Sequence, residues 1–254
     1  MLKIDQVTIR FGGLTAVNEV DFEVKDGAIF GLIGPNGAGK TTLFNIISGV
    51  YAPNNGKIML EGEDITGLQP YQICCKGIAR TYQNINLFHD LTVIENVKIG
   101  CHSKVKSGLL SGILHTPAQK AEEKAIEEKC LGLLDFVGLT GKRDMLARNL
   151  SYGDQRRVEI ARAMATEPKL LLLDEPAAGM NSKEKVDLTA LISKINARGM
   201  TILLVEHDMK LVMKVTDEIA VLNFGKKLAQ GTPEEIQANP AVIEAYLGGG
   251  IIGD

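Results

Sequence analysis

The sequence predicts an α/β protein on a mainly parallel sheet, with an N-terminal antiparallel β subdomain and an inserted helical subdomain. Three observations carry this. Residues 28–33 (AIFGLI), 170–174 (LLLLD) and 201–206 (TILLVE) are short apolar runs with the length of strands covered on both faces. Between and after them, apolar residues recur at helical spacing, at Val158, Ala161 and Ala165 and again at Val186, Ile192 and Ile195. Buried strands that alternate with helices assemble into a parallel sheet. Residues 84–150, by contrast, contain no such run.

Taken in chain order, Val20, Phe22 and Val24 alternate with Glu19, Asp21, Glu23 and Lys25 before an Asp26-Gly27 turn, which predicts a half-buried antiparallel strand. The buried run 28–33 follows it. In the middle of the chain Ile126, Cys130, Leu133, Leu134 and Val137 share one helical face behind the charged segment 120–129. The expected division is therefore an α/β core with the antiparallel β subdomain at residues 1–83 and 151–254, with a helical subdomain at 84–150. Residues 101–118 mix Gly108, Gly112 and Pro117 with Leu109, Leu110, Ile113 and Leu114, and are expected to form an excursion on that subdomain. Near the end, Thr232-Pro233-Glu234-Glu235 is a capping box with proline at the first helical position, and Asn239-Pro240 repeats the cap-plus-proline pattern. No further domain is expected after Gly248-Gly249-Gly250.

Composition narrows the function. The 254 residues suffice for one large domain or two small ones. Lys plus Arg is 28 against 31 Asp plus Glu, a formal charge of −3, which argues against a nucleic-acid partner held by a basic face. Glycine, at 27 residues, exceeds the usual share of about 7% and implies tight turns or close backbone approaches. No apolar run nears the ~20 residues of a membrane-spanning helix. The start, Met1-Leu2-Lys3-Ile4-Asp5, lacks the apolar stretch of a secretory signal, so a cytoplasmic location is expected. Cys74, Cys75, Cys101 and Cys130 show no paired metal spacing and are expected to be buried thiols.

The chemistry is concentrated after the first buried run. Gly34-Pro35-Asn36-Gly37-Ala38-Gly39-Lys40-Thr41, followed by Thr42, fits the phosphate-loop pattern G-x-x-x-x-G-K-[ST] between a strand and a helix. Its glycines let backbone N–H groups turn inward around phosphate oxygens, at a helix N-terminus that favours anions. Lys40 adds a full charge for the β and γ phosphates, and the Thr41 hydroxyl can ligate Mg²⁺. Such a site needs a carboxylate at a neighbouring strand end, and Asp174 supplies it. Glu175, next in the chain, is placed to take a proton from an attacking water. His207 directly follows the third buried run and puts an imidazole at the same edge of the sheet.

As a set these residues resemble the ATP-binding-cassette ATPases, the motor subunits of ABC transporters, over nearly the full chain. The resemblance implies that Gln83, in Thr81-Tyr82-Gln83-Asn84, is the Q-loop glutamine that reaches the metal, that His207 is the switch histidine, and that Phe11 stacks on adenine. The signature segment stands here as Leu150-Ser151-Tyr152-Gly153-Asp154. It keeps Ser151 and Gly153, whose hydroxyl and backbone N–H would approach a γ-phosphate, and departs at Tyr152 and at Asp154, which is expected to face away from nucleotide. Ala178-Gly179-Met180-Asn181 resembles the D-loop with Asn181 where Asp is usual.

The resemblance further implies ATP and Mg²⁺ as ligands, and a second ATPase subunit, identical or paralogous, sandwiching ATP. It also implies transmembrane permease subunits, a substrate-binding protein and a place on the cytoplasmic face of the membrane. Within the family, residues 10–17, 87–96, 206–213 and 244–248 look most like an ATPase subunit of bacterial branched-chain amino-acid importers. A lipopolysaccharide-exporter ATPase and a soluble cassette protein acting in DNA repair or on ribosomes are the alternatives.

Overall fold

Apolar–polar alternation at the start of the chain produces a sheet with one buried face. In the computed structural model, which describes residues 1–101 and 117–247, β1 (Leu2–Phe11) and β2 (Leu14–Val24) pair antiparallel. Val20, Phe22 and Val24 are buried as their spacing predicts. After β3 (Ile29–Ile33) and the helix α1 (Lys40–Ile47), the strands β4 (Asn55–Leu60) and β5 (Glu63–Asp64) complete this first sheet in the order β2-β1-β4-β5. Phe22 stacks on Phe30 of β3 with ring centroids 5.0 Å apart, joining the first sheet to the second.

The second sheet grows from the unbroken apolar runs. Helix α2 (Pro70–Lys76) leads into β6 (Ile78–Arg80). Far along the chain come β7 (Leu170–Asp174), β8 (Thr201–Val205), β9 (Glu218–Asn223) and β10 (Lys226–Gly231), in the sheet order β10-β9-β3-β8-β7-β6. Only β10 runs antiparallel to its neighbour. Every residue of β3, β7 and β8 is buried, as expected of strands covered on both faces. Register places Val205 beside both Leu32 and Asp174, so three carboxyl ends meet at one edge, where ligand sites of open α/β sheets form.

Thr81–Pro168 forms a compact helical unit, and Met1–Arg80 with Lys169–Asp254 forms the other. The helical unit contains α3 (Val93–Cys101), α4 (Pro117–Phe136) and α5 (Tyr152–Ala165). It includes α5, which packs closely on α3. A Cβ on Gly100 of α3 would lie 2.2 Å from the carbonyl oxygen of Arg162 and 2.8 Å from Cβ of Ala165. Gly100→Ala is therefore expected to lower stability by about 1–3 kcal/mol through overpacking, read as a fall in the thermal midpoint. On α4, Cys130 and Leu134 are buried while Ile126 and Leu133 are half-buried.

Two expectations need correction. Only Cys101 and Cys130 are buried; Cys74 is half-buried and Cys75 exposed, since α2 buries Ile73 alone. Burial pushes the Cys130 thiol up to about 12, aided by the Cys101 sulfur 3.7 Å away. In α6 (Ser182–Asn196), Val186 is 61% exposed. It stands six positions before Ile192, a spacing that is not a helical face repeat, and the buried stripe is Leu188, Leu191, Ile192 and Ile195. Helices α7 (Met209–Val215), α8 (Pro233–Ala238) and α9 (Pro240–Leu247) follow, α8 with the capping box of Thr232 and Glu235 and α9 entered from Asn239. The residues 102–116 of the expected excursion, and the glycines at 248–250, lie outside the described residues. No described helix is long and apolar enough to cross a membrane.

Candidate nucleotide site

Residues 34–42 turn tightly between β3 and α1. Gly34 and Gly39 adopt φ of 151° and 100°, and a Cβ there would lie 2.1 Å from the carbonyl oxygen of Leu222 and 2.6 Å from that of Ala16. Only glycine permits so close a backbone approach. The loop is fastened from outside as well: the N–H of Gly225, in the β9–β10 turn, donates to the Ala38 carbonyl at 3.0 Å. Around the loop lies a cavity of about 480 Å³, lined by Asn36 to Thr42, by Leu14, Thr15 and Ala16, by Phe224 and Gly225, and by Glu175 and His207.

Lys40 is buried, and its ammonium donates to the carbonyls of Gly34 at 2.7 Å and Pro35 at 2.9 Å. Burial pushes its pKa below the ordinary lysine value, and the carboxylates of Glu175 and Asp174 oppose that shift. Thr41 lies in the first turn of α1 and faces the cavity. Asp174, at the end of β7, accepts a hydrogen bond from Arg80 through Oδ2 at 2.6 Å, and no described residue is bonded to Oδ1. The hydroxyl of Thr41 and a carboxylate oxygen of Asp174 are the hard donors that Mg²⁺ takes beside phosphate oxygens, so the residues fit that ion.

Glu175 has φ of 45°, unusual for a residue with a side chain, and its N–H donates to Val205 across the strand ends. Strain of this kind gathers at functional positions. Its Oε1 lies 2.7 Å from Nε2 of His207, within hydrogen-bond distance. Asp208, next in the chain, caps α7 through the N–H groups of Lys210 and Leu211 and accepts from Lys185 at 2.8 Å, which anchors the turn that presents His207.

Three charged residues outside the motifs brace the structure, two at the strand ends and one within the helical unit. Arg80 is one. Glu206, 3% exposed, accepts from the N–H groups of Ala177 at 2.6 Å and His207 at 3.0 Å, tying the segment after β7 to the segment after β8. Burial pushes its carboxyl above the ordinary range, against those hydrogen bonds. Arg156 of α5 is fully buried and donates to the carbonyls of Tyr82 and Gln83 at 2.6 and 2.7 Å and to Glu159 at 2.6 Å. The available signal for it was an opposite-charge pair three residues apart on one helix.

Among the sequence-derived site residues, Asn36 to Thr42, Glu175 and His207 share one cavity, with Gly34 and Pro35 at the start of the same loop and Asp174 at the neighbouring strand end. Phe11 does not line that cavity; it packs edge-on against Tyr51 at 5.2 Å and is 45% exposed. Gln83, Ser151 and Gly153 belong to the helical unit. There Ser151 is the N-cap of α5 and accepts from the N–H of Asp154 at 3.3 Å, with Gly153 in the first turn. The Asp154 carboxylate is engaged by Lys142. Asn181 caps α6 in a capping box with Glu184, a task its amide performs as well as a carboxylate would.

Residues 17–178 match the family described as ABC transporter, and residues 226–251 match the one described as branched-chain amino acid ATP-binding cassette transporter. The chain is 49% identical to the high-affinity branched-chain amino acid transport ATP-binding protein BraF of Pseudomonas aeruginosa, over 98% of each chain. Among solved structures it resembles an ATP-binding cassette of an ABC transporter in its ADP conformation, at a TM-score of 0.85, 31% identity and 98% coverage of both chains. It also resembles a dimeric ATP-binding cassette in a post-hydrolysis state with ADP and Pi, at a TM-score of 0.77, 26% identity, 92% coverage of this chain and 99% of that one. With likeness of sequence and fold running from one end to the other, this chain belongs to the ABC transporter family, on its ATP-binding side.

Proposed function

We propose that this chain is the ATP-hydrolysing motor subunit of an importer for the branched-chain amino acids leucine, isoleucine and valine. It works as a dimer of cassettes at the cytoplasmic face of the membrane, on permease subunits fed by a substrate-binding protein. The observation that carries the ATPase reading is the Glu175–His207 pair, 2.7 Å apart, on the wall of the cavity that the phosphate loop also lines. The substrate class is supported by the end-to-end likeness to BraF and by the match of residues 226–251.

In this reading the N–H groups of residues 34–42 cradle the ATP phosphates and Lys40 turns from its own carbonyls to the β and γ oxygens. Thr41 and Asp174 would hold Mg²⁺, which when bound neutralises charge on the phosphate oxygens. Glu175 accepts the proton of the attacking water at its carboxylate, and His207 fixes that carboxylate through Oε1. Ser151 and Gly153 of the second cassette close over the γ-phosphate, at a helix N-terminus suited to anions. Phe11 would have to leave Tyr51 to stack on adenine. ATP-driven closure and reopening after hydrolysis constitute a population shift between two states, passed to the permease through the Gln83 loop. Leu87 is buried near that loop while Phe88 is exposed and free to serve the membrane partner.

Purification of the chain with its partners from a detergent-solubilised membrane fraction tests the reading. Permease proteins are expected to accompany it. Recovery with DNA or ribosomal particles instead would overturn it.

A further inference from the structure

The two oxygen donors in the nucleotide-bearing unit that fit Mg²⁺ sit on different elements, Thr41 on α1 and Asp174 at the end of β7. One buried guanidinium ties those elements together. Arg80 closes β6 in register with Leu172 of β7, two residues before Asp174. Its Nη2 donates to Oδ2 of Asp174 at 2.6 Å, and its Nη1 donates to Oδ1 of Asn45 and to Oγ of Ser48, both at 2.8 Å. Asn45 and Ser48 follow Thr41 along and just past α1. The Ser48 hydroxyl gives its own proton to the Phe44 carbonyl at 2.8 Å, which leaves its oxygen to accept from Arg80. The guanidinium also lies 5.6 Å from the centre of the Phe44 ring.

We propose that Arg80 is a positioning residue for the metal-bearing half of the site: it fixes the spacing and orientation of Thr41 and Asp174 before nucleotide arrives. The inference rests on the ATP-binding reading of this cavity. Its physical basis is the planar fork, which points one edge at the carboxylate and another at the helix in a way a lysine point charge cannot copy. The Asp174–Arg80 pair is buried, with side chains 4% and 7% exposed, and apolar packing would stabilise such a place at least as well. Specified geometry is what the pair adds. By engaging Oδ2 it leaves Oδ1 available, the arrangement expected of a residue that orients a metal ligand.

The test uses the full chain and a non-hydrolysable ATP analogue, with affinity measured in excess EDTA and in excess Mg²⁺. Wild type is expected to bind in EDTA through the phosphate loop and to gain affinity with Mg²⁺. In Arg80→Met, binding in EDTA should hold within a factor of about two, while the gain from Mg²⁺ falls roughly tenfold, the scale typical of orienting residues around a metal. Arg80→Lys should recover only part of it. Asn45→Ala combined with Ser48→Ala keeps the buried charges paired while releasing the guanidinium from α1, and should show a smaller loss in the same direction even if Arg80→Met does not fold. An unchanged Mg²⁺ gain in that double variant and in every folded Arg80 variant would overturn the proposal, as would an equal loss in EDTA and Mg²⁺. Failure of the wild-type chain to bind the analogue in either condition would instead refute the ATP reading beneath it.

Discussion

Glu175→Gln is expected to lower ATP turnover by ~10²–10⁴-fold, the range that a positioned general base contributes, while ATP remains bound. The substitution is nearly isosteric. A glutamine oxygen can still accept from Nε2 of His207, so the 2.7 Å contact and the strained backbone at φ 45° are retained while the basic carboxylate is lost. Because binding and closure survive and reopening by hydrolysis does not, an ATP-bound dimer should accumulate. Phosphate release, read beside nucleotide retention and apparent mass in gel filtration, measures all three. Turnover near the wild-type rate would remove Glu175 from the role of base. Lys40→Ala should differ in kind, weakening nucleotide binding itself, since it deletes a charge-assisted contact to phosphate.

The largest expected effect on stability is that of Arg156→Met. Arg156 and Glu159 have side chains 0% and 2% exposed, and deleting one partner of such a pair costs about 3–5 kcal/mol because the other charge is left buried. The carbonyls of Tyr82 and Gln83 also lose their donor. Burial already holds the Glu159 carboxyl above its ordinary value, with Arg156 the chief opposing influence. A carboxyl raised in the folded state gives a contribution fully present below its unfolded value and lost as pH climbs through the folded one. Without Arg156 that folded value rises further. The stability gap between variant and wild type should therefore widen from acid to neutral pH in denaturant titrations. Adding Glu159→Gln to the variant should narrow the neutral-pH gap. A gap independent of pH would mean that Arg156 acts by packing alone.

Much of the fold was legible because its elements obey local rules. A strand buried on both faces must be apolar throughout, and residues 28–33, 170–174 and 201–206 are unmistakable on that ground. The phosphate loop is equally local, since glycines, lysine and threonine at fixed spacing meet one chemical need. Arg80 was not legible. It looks like an ordinary strand-end charge, and its partners Asn45 and Asp174 lie 35 and 94 positions away. Glu206 is similar, its partner at Ala177 being 29 positions distant and a backbone N–H that carries no side-chain signature. Val186 lies six positions before Ile192, about 240° around the helix, so it faces solvent despite its apolar side chain. Cys74 and Cys75 misled because the burial preference of cysteine is an average, whereas the amphipathic demand of α2 is met by Ile73. Asn181 and Ser151 occupy places in family motifs, and each also satisfies free N–H groups of a helix start, a local duty visible in the sequence.

Uptake of labelled leucine tests the account most directly, in cells whose gene for this chain is deleted and then restored as wild type or as Glu175→Gln. Deletion should abolish high-affinity uptake and wild type should return it, while Glu175→Gln, present in the membrane at the same level, should leave uptake at the deletion value. Normal leucine, isoleucine and valine uptake in the deletion strain, or full rescue by Glu175→Gln, would contradict the assignment of this chain as the ATP-hydrolysing motor of a branched-chain amino-acid importer.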